Sequence, residues 1–276
     1  MDCKPASSTC LSRQSLASLL SGERGAFPPP EAASSPRRNM LIDLVVVDHS
    51  RDFCSALDAE LRDARNACSA PVAVRVLCGD LSSSFGVATA SDEFDDAKCP
   101  DDEFEKIACE PIILDDQTPT CVVFGGNTAG VAAGNAQRAI SRAFPRQFHE
   151  IATQVRNAHA SDWDDECWPQ ESVGSLYASS TLGGVRLVSC SVFPRDARCE
   201  QETVRRVFRD ALIFVAAEGA RCEPPLARLR VVTHGLGVFI GHPNPAAFAY
   251  AMARGLADFV YALSDDGVLR RAGGAG

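Results

Sequence analysis

The stretch FGGNTAGVAAGNAQRAI, residues 124–140, holds four glycines and two asparagines in 17 positions. It follows the apolar run TCVV, residues 120–123, and leads into the helix-like spacing of Ala139, Ile140 and Ala143. The reading is a strand that hands over to a helix through a turn rich in backbone-permissive residues. A buried strand feeding a helix is the unit of a parallel sheet.

Working outward, the same alternation recurs. LIDLVVV, residues 41–47, is a continuous apolar run, as expected for a strand buried on both faces. Ser50 can cap a helix that carries Phe53, Leu57 and Leu61 on one face. AVRVLC, residues 73–78, reads as the next strand and ends in Gly79-Asp80-Leu81. Beyond the opening stretch, Phe148, Ile151, Ala152 and Val155 form a helical face after Pro145. GSLYASS (174–180) and VRLVSCSVF (185–193) read as strands joined by a Gly183-Gly184 turn. Val204, Val207, Phe208, Ala211, Leu212 and Val215 mark a helix that Gly219 is placed to end. RLRVVT, residues 228–233, is the last strand. Asn244 and Pro245 open a final helix with Phe248, Met252, Leu256, Phe259 and Leu263 as its buried stripe. The expected fold is a three-layer α/β/α sandwich around a mixed, mostly parallel sheet.

The domain is expected over residues 40–266. A Ser/Pro-rich flexible tail (1–39) precedes it and a flexible end (267–276) follows. Two acidic insertions interrupt it, near 91–105 and 162–168. The first, SDEFDDAKCPDDEFE, carries eight carboxylates and one lysine. It lacks the D-x-D-x-D-G spacing of a calcium loop, so a solvated loop is expected there.

The net charge is −9. That balance argues against nucleic acid as a partner. No apolar run reaches the roughly 18 residues of a spanning helix, so no membrane partner is expected. The 12 cysteines show no C-x-x-C pair and no zinc spacing. They read as reduced, mostly buried thiols of an intracellular protein, cytoplasmic or nuclear, with no metal and no cofactor. The N-terminus lacks the apolar core of a signal peptide; an organelle transit segment stays open as a weaker alternative, since Asp2 and Glu23 intrude on it.

In open α/β sheets, ligands bind beyond the carboxyl ends of the strands. Three such ends stand out: Gly79-Asp80-Leu81, the opening stretch, and VTHGLGVFIGHP (232–243). Glycine-rich turns let backbone N–H groups converge on phosphate oxygens. Neither turn has the G-x-x-x-x-G-K-[ST] spacing of an NTPase.

These residues resemble the macro-domain family. NTAGVAAGNAQRAISRAF (127–144) is similar to its Asn-containing loop and following helix. Asn127 matches the signature Asn, Gly130 the mid-loop glycine, Gly134 the first of the paired glycines, and Ser141-Arg142 the helix Ser-Arg. CGDL (78–81), VGSLYASST (173–181) and VTHGLGVFIGHPNP (232–245) follow in the family's order. The resemblance implies binding of ADP-ribose, free or attached to protein, with hydrolysis of the linkage in some members. It implies that Asp80 and the Leu81 N–H read the adenine. It implies that Gly235, Leu236, Gly237, Val238, Phe239, Ile240 and Gly241 wrap the diphosphate, and that Asn127 holds the distal ribose. A register shifted by one residue makes Gly237-Val238-Phe239 the loop's G-[IV]-[FY].

The departures bear on catalysis. Asn135 stands for the second paired glycine and Gln137 for the acidic position; an amide does not titrate. Val238-Phe239 replaces Thr-Gly. His234 and His242 flank the second loop as candidate bases, beside the simpler expectation that they are structural. Two other functions are open to the sequence. One is a macro-like protein-interaction module without nucleotide binding. The other is a Rossmann-type methyltransferase, whose ribose-binding acid Asp48 resembles, but the G-x-G loop due before that acid is missing.

Overall fold

A computed structural model describes residues 10–11, 40–67, 72–86, 112, 118–127, 130, 132, 134–158, 173–193, 199–238 and 244–264. In chain order the elements are β1 (Cys10–Leu11), β2 (Leu41–Asp48), α1 (Arg51–Ala67), β3 (Val72–Cys78), α2 (Leu81–Ser84), β4 (Thr120–Asn127), α3 (Asn135–Ala143), α4 (Pro145–Ala158), β5 (Leu176–Ala178), β6 (Val185–Phe193), α5 (Gln201–Arg221), β7 (Arg228–Thr233) and α6 (Pro245–Ser264). The sheet order is β1-β5-β6-β4-β7-β2-β3. Strands β6, β4, β7, β2 and β3 are mutually parallel, and β5 runs antiparallel to β6.

The central strands are buried on both faces because their side chains alternate between two cores. Ile42, Leu44 and Val46 of β2 join Cys121 and Val123 of β4 and Leu229 and Val231 of β7. That core is closed by Phe53 and Leu57 of α1, Phe208 of α5 and Met252 and Phe259 of α6. The intervening residues Val45, Val47, Val122, Phe124 and Val232 face Leu81, Ile140, Ile151 and Val155 of α2, α3 and α4. Three layers result, as the sequence pattern implied. Two charged residues interrupt β2, Asp43 within it and Asp48 at its end; Asp43 is the more buried. Its buried carboxylate is met by Arg75, Arg228 and Arg230 at 3.4, 3.3 and 3.5 Å, the compensation a buried charge requires.

The caps follow the sequence. Ser50 Oγ accepts from the Phe53 N–H at 3.2 Å, and Asn244 Oδ1 accepts from the Ala247 N–H at 3.2 Å. Gly183 and Gly184 both take positive φ between β5 and β6. One expectation fails. Gly219 does not end α5, which runs on to Arg221. A Cβ at 219 would lie 2.8 Å from Met40 Sδ, so glycine serves a close approach there. Cys10–Leu11, inside the stretch read as a flexible tail, forms a short edge strand on Tyr177 and Leu176 of β5. A two-residue strand leaves no periodicity to read. The acidic stretches 91–105 and 162–168 lie outside the described residues.

Helices α5 and α6 meet at Gly255, where a Cβ would stand 2.5 Å from the Arg205 carbonyl oxygen. Alanine is the better helix former by about 1 kcal/mol. Overpacking against rigid backbone costs about 1–3 kcal/mol and should win. Gly255→Ala is therefore expected to lower the thermal midpoint; an unchanged or raised midpoint would disprove the close helix contact.

Candidate functional site

The chain leaves β4 for α3, on one face of the sheet, and leaves neighbouring β7 for α6, on the other. A crevice forms where adjacent strands send their connections to opposite faces. Both glycine-rich segments begin at this point. Pairing of β4 with β7 runs only to Val123↔Thr233, while β4 stays with β6 to its end.

Beyond that last pair, side chains take over the backbone of Gly125. Its N–H donates to His234 Nε2 at 3.2 Å, and its carbonyl accepts from Gln137 Nε2 at 2.6 Å. His234 Nδ1 lies 3.0 Å from the Gly235 carbonyl. Since Nε2 accepts, the proton sits on Nδ1 and donates to Gly235. His234 is 8% exposed. Burial pushes its pKa down, against the opposing pull of the Asp48 carboxylate and the Gly235 carbonyl. The imidazole is a neutral bridge with both nitrogens engaged. The structural expectation for this histidine holds, and general-base duty is closed to it; His242 lies outside the described residues.

Gln137 is a second clip. Besides Gly125, its Oε1 accepts from the Gly134 N–H at 3.3 Å, half of a capping box at the start of α3. Asp48 is the third. Oδ1 accepts from the Ser50 N–H at 2.9 Å and Oδ2 from the Gly235 N–H at 3.0 Å. Both oxygens serve the fold, and β2 is thereby tied to the segment after β7. The sequence did carry a signal: a carboxylate closing a strand buried on both faces must find donors nearby.

The remaining sequence-selected residues are placed as follows. Asn127 is 2% exposed and Gly130 has φ +64°; the Gly130 N–H donates to the Asn127 carbonyl at 3.2 Å. A Cβ at 130 would press within 3.2 Å of the Ala152 carbonyl oxygen and Val155, so this turn lies directly on α4. Asn127, Gly130, Gln137 and Ser189 help line a cavity of about 10 Å³, the size of one water. Gly134 is the N-cap of α3. Asp80 caps α2, accepting from the Ser82 N–H at 3.2 Å through Oδ1. The Leu81 side chain is buried. The segment after β7 lies close on its neighbours. A Cβ at Gly235 would meet Asp48 Oδ2 at 2.6 Å, and one at Gly237 would meet Phe248 at 2.7 Å. The Leu236 N–H donates to Met252 Sδ at 3.3 Å, and the Val238 N–H to the Gly235 carbonyl at 3.3 Å. Phe239, Ile240 and Gly241 lie outside the described residues. Among the described residues no group of three or more His, Cys, Asp or Glu could hold a metal, and no helix is long and apolar enough to cross a membrane.

No family model matches the sequence, and neither does any curated protein. Among solved structures, the macrodomain of Thermus aquaticus DarG is similar at TM-score 0.37 and 15% identity, over 50% of this chain and 81% of that one. A macrodomain protein from Streptomyces coelicolor is similar at TM-score 0.30 and 14% identity, over 42% of this chain and 88% of the other.

Two tests address the clips. A buried neutral histidine has a folded-state pKa below its unfolded value of about 6.5. The unfolded chain then takes up the proton first, so the stabilisation is full above that pH and fades as pH falls below it. His234→Gln can still accept from Gly125 and donate to Gly235 without titrating. Its urea midpoint should decline less than wild type between pH 7.5 and 5.5; parallel declines would refute a buried neutral imidazole. Gln137→Glu puts an acceptor against the Gly125 carbonyl. It should lower stability by about 1–3 kcal/mol at neutral pH and recover on acidification. A neutral-pH midpoint equal to wild type would remove Gln137 from this role.

Proposed function

We propose that this chain is a macro-domain-like module that binds ADP-ribose or ADP-ribosylated protein. The carrying observation is that adjacent strands β4 and β7 send their connections to opposite faces of the sheet, each through a glycine-rich segment at its carboxyl end. Asp80 and Leu81 follow the end of β3, three strand spacings from β4. At about 4.8 Å per strand that is roughly 14 Å, a span suited to an elongated nucleotide.

In this reading one carboxylate oxygen of Asp80 keeps the α2 cap while the other accepts from the adenine amino group. The Leu81 N–H, first in its helix and without an acceptor among the described residues, donates to the ring. The Gly237 N–H and the segment that follows it take the diphosphate. Asn127 supplies the distal-ribose contact. Hydrolysis is the weaker part of the reading, because the Gln137 amide does not titrate and His234 has no free nitrogen.

A second reading has its own support. The Gly235, Leu236 and Val238 N–H groups are engaged within the fold, and the Asp48 carboxylate lies beside them. Fewer amides then face a phosphate, which favours a macro-like module that binds a protein partner without nucleotide.

Calorimetric titration of the full chain with ADP-ribose, against ADP, NAD and S-adenosylmethionine, separates these. Saturable binding selective for ADP-ribose is expected. Asp80→Asn keeps a good N-cap but cannot present a free carboxylate oxygen, so it should weaken binding by about 1–3 kcal/mol. No heat at millimolar ADP-ribose would give the site to the second reading, and selectivity for S-adenosylmethionine would overturn both.

A further inference from the structure

Two thiols converge at the carboxyl edge of the sheet. Cys54 sits in the first turn of α1, and its Sγ donates to the Asp48 carbonyl at 3.3 Å and approaches the Leu77 carbonyl at 3.7 Å. Leu77 immediately precedes Cys78, the last residue of β3, which pairs with Asp48 across the sheet. Cys78 Sγ points back to the His49 carbonyl at 4.0 Å. Each sulfur thus reaches the backbone beside the other's anchor. Cys78 is half-buried on an edge strand and Cys54 is buried behind it, so only one is open to solvent reagents.

We infer that Cys54 and Cys78 form a reversible intramolecular disulfide with small-molecule disulfides as the oxidant. Burial first, then the nearness of Cys78 and Asp48, holds the Cys54 thiol protonated, so Cys78 reacts first. The Cys78 thiolate attacks one sulfur of the small disulfide and releases one small thiol, leaving a mixed disulfide. Cys54 gives its proton to solvent and attacks the Cys78 sulfur, releasing the second small thiol. In sum, two protein thiols are oxidised and one small disulfide is reduced to two thiols. The bond would tie α1 to β3, two residues before Asp80, and remove the S–H that Cys54 gives to Asp48.

The full chain, reduced and then equilibrated in glutathione buffers of rising oxidised fraction, is quenched by alkylation and mapped by mass spectrometry. A peptide linking Cys54 to Cys78 should accumulate, vanish on reduction, and be absent from Cys78→Ser. It should exceed the same peptide from urea-unfolded protein by about tenfold or more, since positioned groups react at high effective concentration. Cys54→Ser should leave Cys78 as a stable glutathione adduct, a readout that survives any loss of the linked peptide through misfolding. Three results would each overturn the inference: equal yields in folded and unfolded protein, a wild-type Cys78 that stops at the adduct, or an exposed Cys222 that reacts while both partners stay free. None of these readouts involves ADP-ribose, so failure here is distinct from failure of the binding proposal.

Discussion

The imidazole of His234 stands where two parallel strands part company. Up to Val123 and Thr233 the sheet satisfies its own backbone. One step further, Gly125 would present an amide and a carbonyl to an opening gap, and buried unpaired groups of that kind cost about 1–3 kcal/mol each. His234 and Gln137 close both debts with side chains. Because the imidazole also donates to Gly235, the ends of β4 and β7 are held apart at a fixed spacing. Asp48 extends the brace to β2 through the Gly235 N–H. The crevice, and the placement of everything proposed to line it, depends on these three side chains.

The sequence made the layers legible because periodicity reports burial. LIDLVVV declares a two-faced strand, and the stripes Phe53-Leu57-Leu61 and Phe248-Met252-Leu256-Phe259 declare helices with one buried side. Caps and turns with their own chemistry, at Ser50, Gly183-Gly184 and Asn244, were legible too. Long-range polar pairing was not. His234 and Gly125 are 109 positions apart, and Asp48 and Gly235 are 187 apart. No local pattern encodes such a bond. Gln137 shows the limit from the other side. As an amide in an acidic position it reads as a loss of function, whereas in the fold its NH₂ is the group that meets the Gly125 carbonyl.

Glycine carries a double meaning at this edge. A glycine-rich turn after a strand suggests amides freed to hold a phosphate. At Gly130, Gly235 and Gly237 the missing Cβ is also required by the protein's own neighbours: α4, Asp48 and Phe248. Backbone drawn this close to its own side chains is rigid. Rigidity favours a ligand only if the rigid shape already fits it.

Asp48 bears most directly on that fit. A buried carboxylate that accepts the Gly235 N–H fills the role an anionic oxygen would play at that amide. A diphosphate bound there would meet a like charge, and at close range inside a protein such repulsion is worth more than a single hydrogen bond. Oxygens of such a diphosphate would therefore lie away from Gly235. The same geometry would leave an adenine at Asp80 unaffected, since Asp80 caps the Ser82 N–H through Oδ1 alone. Affinity in such a site would rest more on the base than on the phosphates, the opposite balance from a phosphate cradle whose amides all point to the ligand.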